Sequence, residues 1–168
     1  MAEPASLHLS RWHRLFVGLQ ESSQKVYAAI EEQVQKQNIP DVKLSRVNYS
    51  EKGLFSAKRE YLRVKRQGRI FDICAAPFGN NFFVSWWLGE TPGAIASLLM
   101  KIPVIGPFLV GKFKPETYYT LDTTLMFQDS VHTAVMAAVD AITAGKGQRV
   151  MTELERTPIM SDAFKHKL

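Results

Sequence analysis

Asp72, Asp122 and Arg59 are the first residues to weigh as chemistry, because paired carboxylates beside a guanidinium can exchange protons with a bound ligand. Ion pairing on a solvated strand is the commoner role for such a group. Cys74 is the chain's one cysteine, and a nucleophilic thiol needs a base that no histidine near it in sequence supplies. His8, His13, His132 and His166 are scattered and lack the paired spacing of metal ligands. Gly145-Lys146-Gly147 has neither the spacing of a phosphate-binding glycine loop nor a strand before it. No catalytic signature emerges, no cofactor or metal is expected, and the reading leans away from an enzyme.

Charge carries more information. The 168 residues have a net charge of +5, with 46% hydrophobic and 22% charged residues. These fractions exclude wholesale disorder, and the length suits one domain. Nine of the basic residues fall between Lys43 and Arg69 with only Glu51 and Glu60 among them, so this window carries +7 and the remainder −2. Lys58, Arg59, Arg63, Lys65, Arg66 and Arg69 are its centre and the candidate contacts to an anionic partner.

The elements that would position these residues follow from periodicity. Ser10 resembles a helix N-cap, and Trp12, Leu15, Phe16 and Leu19 then fall at helical spacing, so residues 1–19 read as an amphipathic N-terminal segment. Val26, Tyr27, Ile30 and Val34 mark a better helix, which Asn38-Ile39-Pro40 ends. Strand patterns cover 42–49, 55–66, 69–76 and 82–88, with Gln67-Gly68 as a hairpin turn, and a fifth covers 117–127. Alternation sets Leu62, Val64, Phe71, Ile73, Phe82, Val84, Trp86 and Leu88 on one face, joined by Tyr119, Leu121, Leu125 and Phe127. The other face receives Arg59, Tyr61, Arg63, Lys65, Asp72, Ser85 and Trp87, joined by Thr120, Asp122 and Thr124. Asp129-Ser130 then caps a helix through Val131, Val135, Ala138, Val139 and Ile142 that stops at Gly145.

The expected fold is α+β: a mainly antiparallel sheet of about five strands, two long helices on one face, and an apolar helix-loop insertion over 91–113 before the last strand. Residues 20–145 form the domain. Residues 146–168 form a C-terminal tail, loosely docked or reaching a neighbouring subunit as an arm.

The insertion holds the most unusual composition. Residues 93–111 carry one charge, Lys101, and nine Ile, Leu, Val or Phe side chains. Those nine favour a membrane interior by about 4 kcal/mol, against about 3 kcal/mol for the mid-span lysine. Pro103, Gly106 and Pro107 then break the helix, so a single membrane span is not expected. An apolar loop of this kind is uncommon on a free surface. Ile95, Leu98, Leu99, Ile102, Val104, Ile105, Phe108 and Leu109 are the candidate contacts to a protein or a membrane, with Trp12 and Phe16 beside them.

The function expected is that of a non-enzymatic assembly or adaptor protein. It would self-associate, or dock on a protein partner or the inner membrane surface, through 93–111. Met1-Ala-Glu-Pro lacks the pattern of a secretory leader, so the expected place is the cytoplasm, with peripheral contact to the inner membrane. A small nucleic-acid-binding module using the basic strands 58–69 is the second reading. An enzyme or small-ligand binder with a polar site on the outer sheet face is the third.

Overall fold

The computed structural model describes residues 7–50, 58–91 and 117–165. Its order is β1 (Leu7–Phe16), α1 (Ser23–Lys36), β2 (Val42–Ser50), β3 (Lys58–Arg66), β4 (Arg69–Phe78), β5 (Asn81–Glu90), α2 (Tyr118–Ala144), α3 (Glu153–Arg156), β6 (Ile159–Met160) and α4 (Asp162–Lys165). The strands form one antiparallel sheet in the order β2-β3-β4-β5-β1-β6. The α+β class with an antiparallel sheet is as the sequence suggests. The sheet has six strands among the described residues, and two stretches differ from expectation.

The first difference is at the N-terminus. Residues 7–16 are a strand inserted between β5 and β6, not a helix. Trp12 and Phe16 lie opposite Trp86 and Phe82 and face the core, with Trp12 2% exposed. Their spacing of four fits one face of a helix and equally one face of a strand. The tie was concealed by Arg14, which shares that face and looks out of place in a core. Its guanidinium reaches Glu155 of α3, 141 residues away. Ser10 caps nothing; its hydroxyl donates to the buried Gln128 side chain of α2.

The second difference is at 117–127. Tyr, Thr and Phe there carry β propensity, yet the stretch forms the first turns of the 27-residue helix α2. Thr117 is its N-cap, accepting from the Thr120 backbone N–H. Leu121, Thr124, Gln128, Val131, Val135 and Ala138 continue one buried helical stripe across the whole length. Asp129-Ser130 is therefore mid-helix. Thr123, Thr124, Ser130 and Thr143 donate their hydroxyls to carbonyls one turn back, which satisfies them within the helix.

The core joins the inward strand residues to both helices. Leu62, Val64, Phe71, Ile73, Phe82, Val84, Trp86 and Leu88 pack with Val26, Tyr27, Ile30 and Val34 of α1 and with Phe127, Val131, Val135 and Val139 of α2. Tyr27 ties the layers, its hydroxyl donating to the Glu60 carbonyl and accepting from the Ala75 N–H. Its burial raises the phenol pKa. Between β3 and β4, Gln67 adopts a φ of 50° ahead of Gly68, which closes the two-residue hairpin turn that the sequence signals.

The C-terminal segment folds back on its own chain. Trp12 Nε1 donates to the Glu155 carbonyl at 2.7 Å, Arg156 pairs with both Asp140 oxygens at 2.9 Å, and Ser161 N donates to the Leu9 carbonyl at 2.8 Å. Met151 and Phe164 are buried in the core.

Candidate functional site

Strand alternation gives the sheet a second, outer face, and this face holds the polar cluster. Lys43, Tyr49, Arg59, Tyr61, Arg63, Lys65, Asp72 and Trp87 all project to it by register. At its centre, Arg63 and Asp72 are cross-strand neighbours, each 8% exposed. Arg63 Nε and Nη2 donate to the two carboxylate oxygens at 2.7 Å each, a bidentate pair. The Tyr49 hydroxyl donates to Asp72 Oδ2 at 2.6 Å and accepts from Arg63 Nη2. Burial, with the neighbouring Asp72 carboxylate, raises the Tyr49 phenol pKa.

Cys74 lies two residues along β4 on the same face and is buried beside Tyr61 and Arg59. Burial raises its thiol pKa, and the Arg59 charge opposes that rise without cancelling it. A thiol kept protonated is a poor nucleophile. Asp122 does not join this group: it sits on α2, exposed, so the carboxylate pair considered from sequence is not formed. Thr120 and Thr124 are on that helix too, as are Tyr119, Leu121, Leu125 and Phe127. Among the described residues no three of His, Cys, Asp and Glu gather as a metal site would require.

The six cations read as one anionic-partner site are divided by the pleat. Arg59, Arg63 and Lys65 reach the outer face. Lys58, Arg66 and Arg69 alternate to the side that carries the helices. There Arg66 donates to the Pro40 carbonyl, while Arg69 pairs with Glu90 at 2.6 Å and donates to Thr124 Oγ1 at 3.0 Å. Arg63 is already neutralised by Asp72. The exposed outer-face cations are Arg59 and Lys65, and Lys43 stands directly across from Lys65. Like charges facing each other across strands destabilise the pairing.

Further along the same face, Arg11 of β1 lies opposite Trp87, with its guanidinium carbon 5.5 Å from the indole centroid. Trp87 is 36% exposed, high for an indole. Tyr49 and Arg11 were missed from sequence: Tyr49 falls in a short polar stretch, and Arg11 reads as the polar side of a helix. Trp12 and Phe16 are corrected from surface contacts to core residues. Ile95, Leu98, Leu99, Ile102, Val104, Ile105, Phe108 and Leu109 lie outside the described residues.

Among the described residues His132 is the one histidine that is not exposed. Its ring stands between Trp12 and Trp86, at centroid distances of 6.1 and 5.5 Å, and Nδ1 accepts from Trp86 Nε1 at 3.1 Å. The Arg156 backbone beside it favours the protonated form. Burial lowers the imidazole pKa, so the ring is held neutral. These contacts give His132 a packing role between α2 and the sheet.

Among the described residues no helix is long and apolar enough to cross a membrane. No family model, curated protein or solved structure matches the chain.

Proposed function

We propose that the protein is a non-enzymatic assembly or adaptor module that docks through the apolar stretch 93–111, on a second copy of itself, a protein partner or the cytoplasmic face of the membrane. The observation that carries this reading is the composition of the sequence between β5 and α2. β5 ends at Glu90 and α2 begins at Tyr118. The core already gathers the inward face of the sheet, α1 and α2, which we read as two helices covering one face. Nineteen residues with one charge then have the composition of a contact segment rather than of a solvated loop. Lys101, Lys112 and Lys114 could reach anionic head groups in the membrane case.

Size-exclusion chromatography with light scattering tests the reading, on wild type, Leu99→Asp and Phe108→Asp, each with and without vesicles containing anionic lipid. The expected result is an oligomer or vesicle-bound species that both variants lose while keeping the wild-type circular dichroism spectrum. Variants that unfold, or a wild type that stays monomeric and unbound, reject it.

A second reading rests on the outer face, where Arg59, Lys65 and Lys43 stand among Tyr49, Tyr61 and Trp87. Cations interleaved with stacking surfaces suit single-stranded nucleic acid. Fluorescence anisotropy with a labelled single-stranded oligonucleotide checks it. Arg59→Ala and Lys65→Ala should each weaken binding and lower the salt slope by about 0.7. Salt-independent binding would reject this reading.

A further inference from the structure

We propose that the cleft between β1, β5 and the β6–α4 segment is a small-ligand site for a planar aromatic ring bearing an anionic group. Its volume is about 370 Å³. That lies at the small end of the range for ligand sites, roughly 300–1,000 Å³.

An irregularity in β1 constructs it. Register with β5 runs His8↔Gly89 and then Ser10↔Leu88, leaving Leu9 as an extra residue. Leu9 and Ser10 are consecutively buried, whereas His8 and Arg11 on either side of them are exposed. A bulge of this type re-aims side chains, and bulges are over-represented beside functional sites. Without it, strict alternation would turn His8 inward. With it, His8 stands on the outer face at 5.7 Å from the Trp87 ring, edge to face. Gly89, opposite His8, contributes no side chain to fill the space.

The chemistry of the walls defines the ligand. Trp87 supplies a partly exposed aromatic surface, and Ile159 of β6, which pairs with Arg11 on the other side, supplies an apolar one. Arg11 has no carboxylate partner among the described residues; it rests against Trp87 by a cation–π contact. Lys165 at the far rim pairs with Asp162 at 3.3 Å. An aromatic ring would lie against Trp87, and its anionic group would take the forked donors of Arg11, with His8 alongside. Nucleoside monophosphates and aryl carboxylates share this chemistry.

Isothermal titration of the full chain with adenosine monophosphate and with benzoate distinguishes the two sources, with adenosine and inorganic phosphate as single-feature controls. One of the two aromatic anions should bind saturably and at least tenfold more tightly than either control. Arg11→Ala and Trp87→Ala should each weaken that binding at least tenfold, and Trp87→Phe should restore most of it. Both sites are on the surface, and an unchanged thermal melting curve verifies the fold of each variant. Failure of both aromatic anions to bind at millimolar concentration overturns the proposal. So does binding that phosphate alone reproduces, or binding indifferent to Arg11→Ala and Trp87→Ala.

Discussion

Removing the Asp72 carboxylate strips Arg63 of the anion that neutralises it in a nearly buried setting. A broken buried pair costs about 3–5 kcal/mol, whereas replacing both members with apolar residues is often close to neutral. Urea unfolding should therefore show Asp72→Ala to be far more damaging than the double variant Arg63→Met/Asp72→Leu. A double variant as unstable as the single one would mean that the pair contributes by attraction rather than by mutual compensation. His132 gives a pH dependence. Its folded pKa lies below the ordinary value of 6.5, so the unfolded chain binds more protons than the folded one as pH falls through that value. The stability linked to His132 is complete above about pH 6.5 and declines toward its lower folded pKa. Burial is the largest cause; the Arg156 backbone and the Asp129 charge oppose the shift, and the Arg156 charge adds to it. Melting temperatures at pH 7.5 and 5.5 should differ more for wild type than for His132→Gln. Equal differences would assign the acid sensitivity to other groups.

Elements were legible where their own residues decide them. β2 to β5 show alternation because one face of each strand is apolar, and Gln67-Gly68 supplies the left-handed turn between β3 and β4. α1 shows a clean stripe in Val26, Tyr27, Ile30 and Val34. β1 and the start of α2 were not legible, because distant partners decide them. Arg14 sits on a core-facing position only because Glu155 meets it. Tyr118, Tyr119 and Thr120 are helical because Leu121, Thr124 and Gln128 continue the buried stripe set by Val131 and Val135. The outer-face cluster was partly visible in Arg63 and Asp72. The cleft was not, since no sequence pattern marks the bulge at Leu9 or seats β6 beside β1. The C-terminal attachment carries its own expectation. Glu155 accepts from Arg149 as well as Arg14 and from the Thr152 backbone, which holds its carboxyl well below the usual range. Glu155→Ala should raise the rate of proteolytic cleavage within 146–165 severalfold while leaving the main thermal transition in place. Unchanged cleavage would mean that Phe164, Met151 and the Arg156–Asp140 pair suffice to hold the segment.

For the molecule as a whole, the place of β1 between β5 and β6 sets an order in time. β2, β3, β4 and β5 are joined in sequence and can pair with their neighbours as soon as each emerges. β1 is the first strand in the chain but must wait for residues 81–90 on one side and 159–160 on the other. Contacts so far apart in sequence slow folding, because loop closure precedes any reward. The meander should therefore form the folding nucleus, with β1 inserted late. Leu62→Ala, in β3, should chiefly slow refolding, and Trp12→Phe, in β1, should chiefly speed unfolding; stopped-flow kinetics with the opposite partition would place the nucleus at the strand made first. Until that late step, Trp12 and Phe16 have no place in the core, and a chain caught at this stage presents a four-stranded sheet with an unfilled apolar slot. The vulnerability of this protein to aggregation is then a matter of how long β1 remains outside, rather than of how stable the finished fold is.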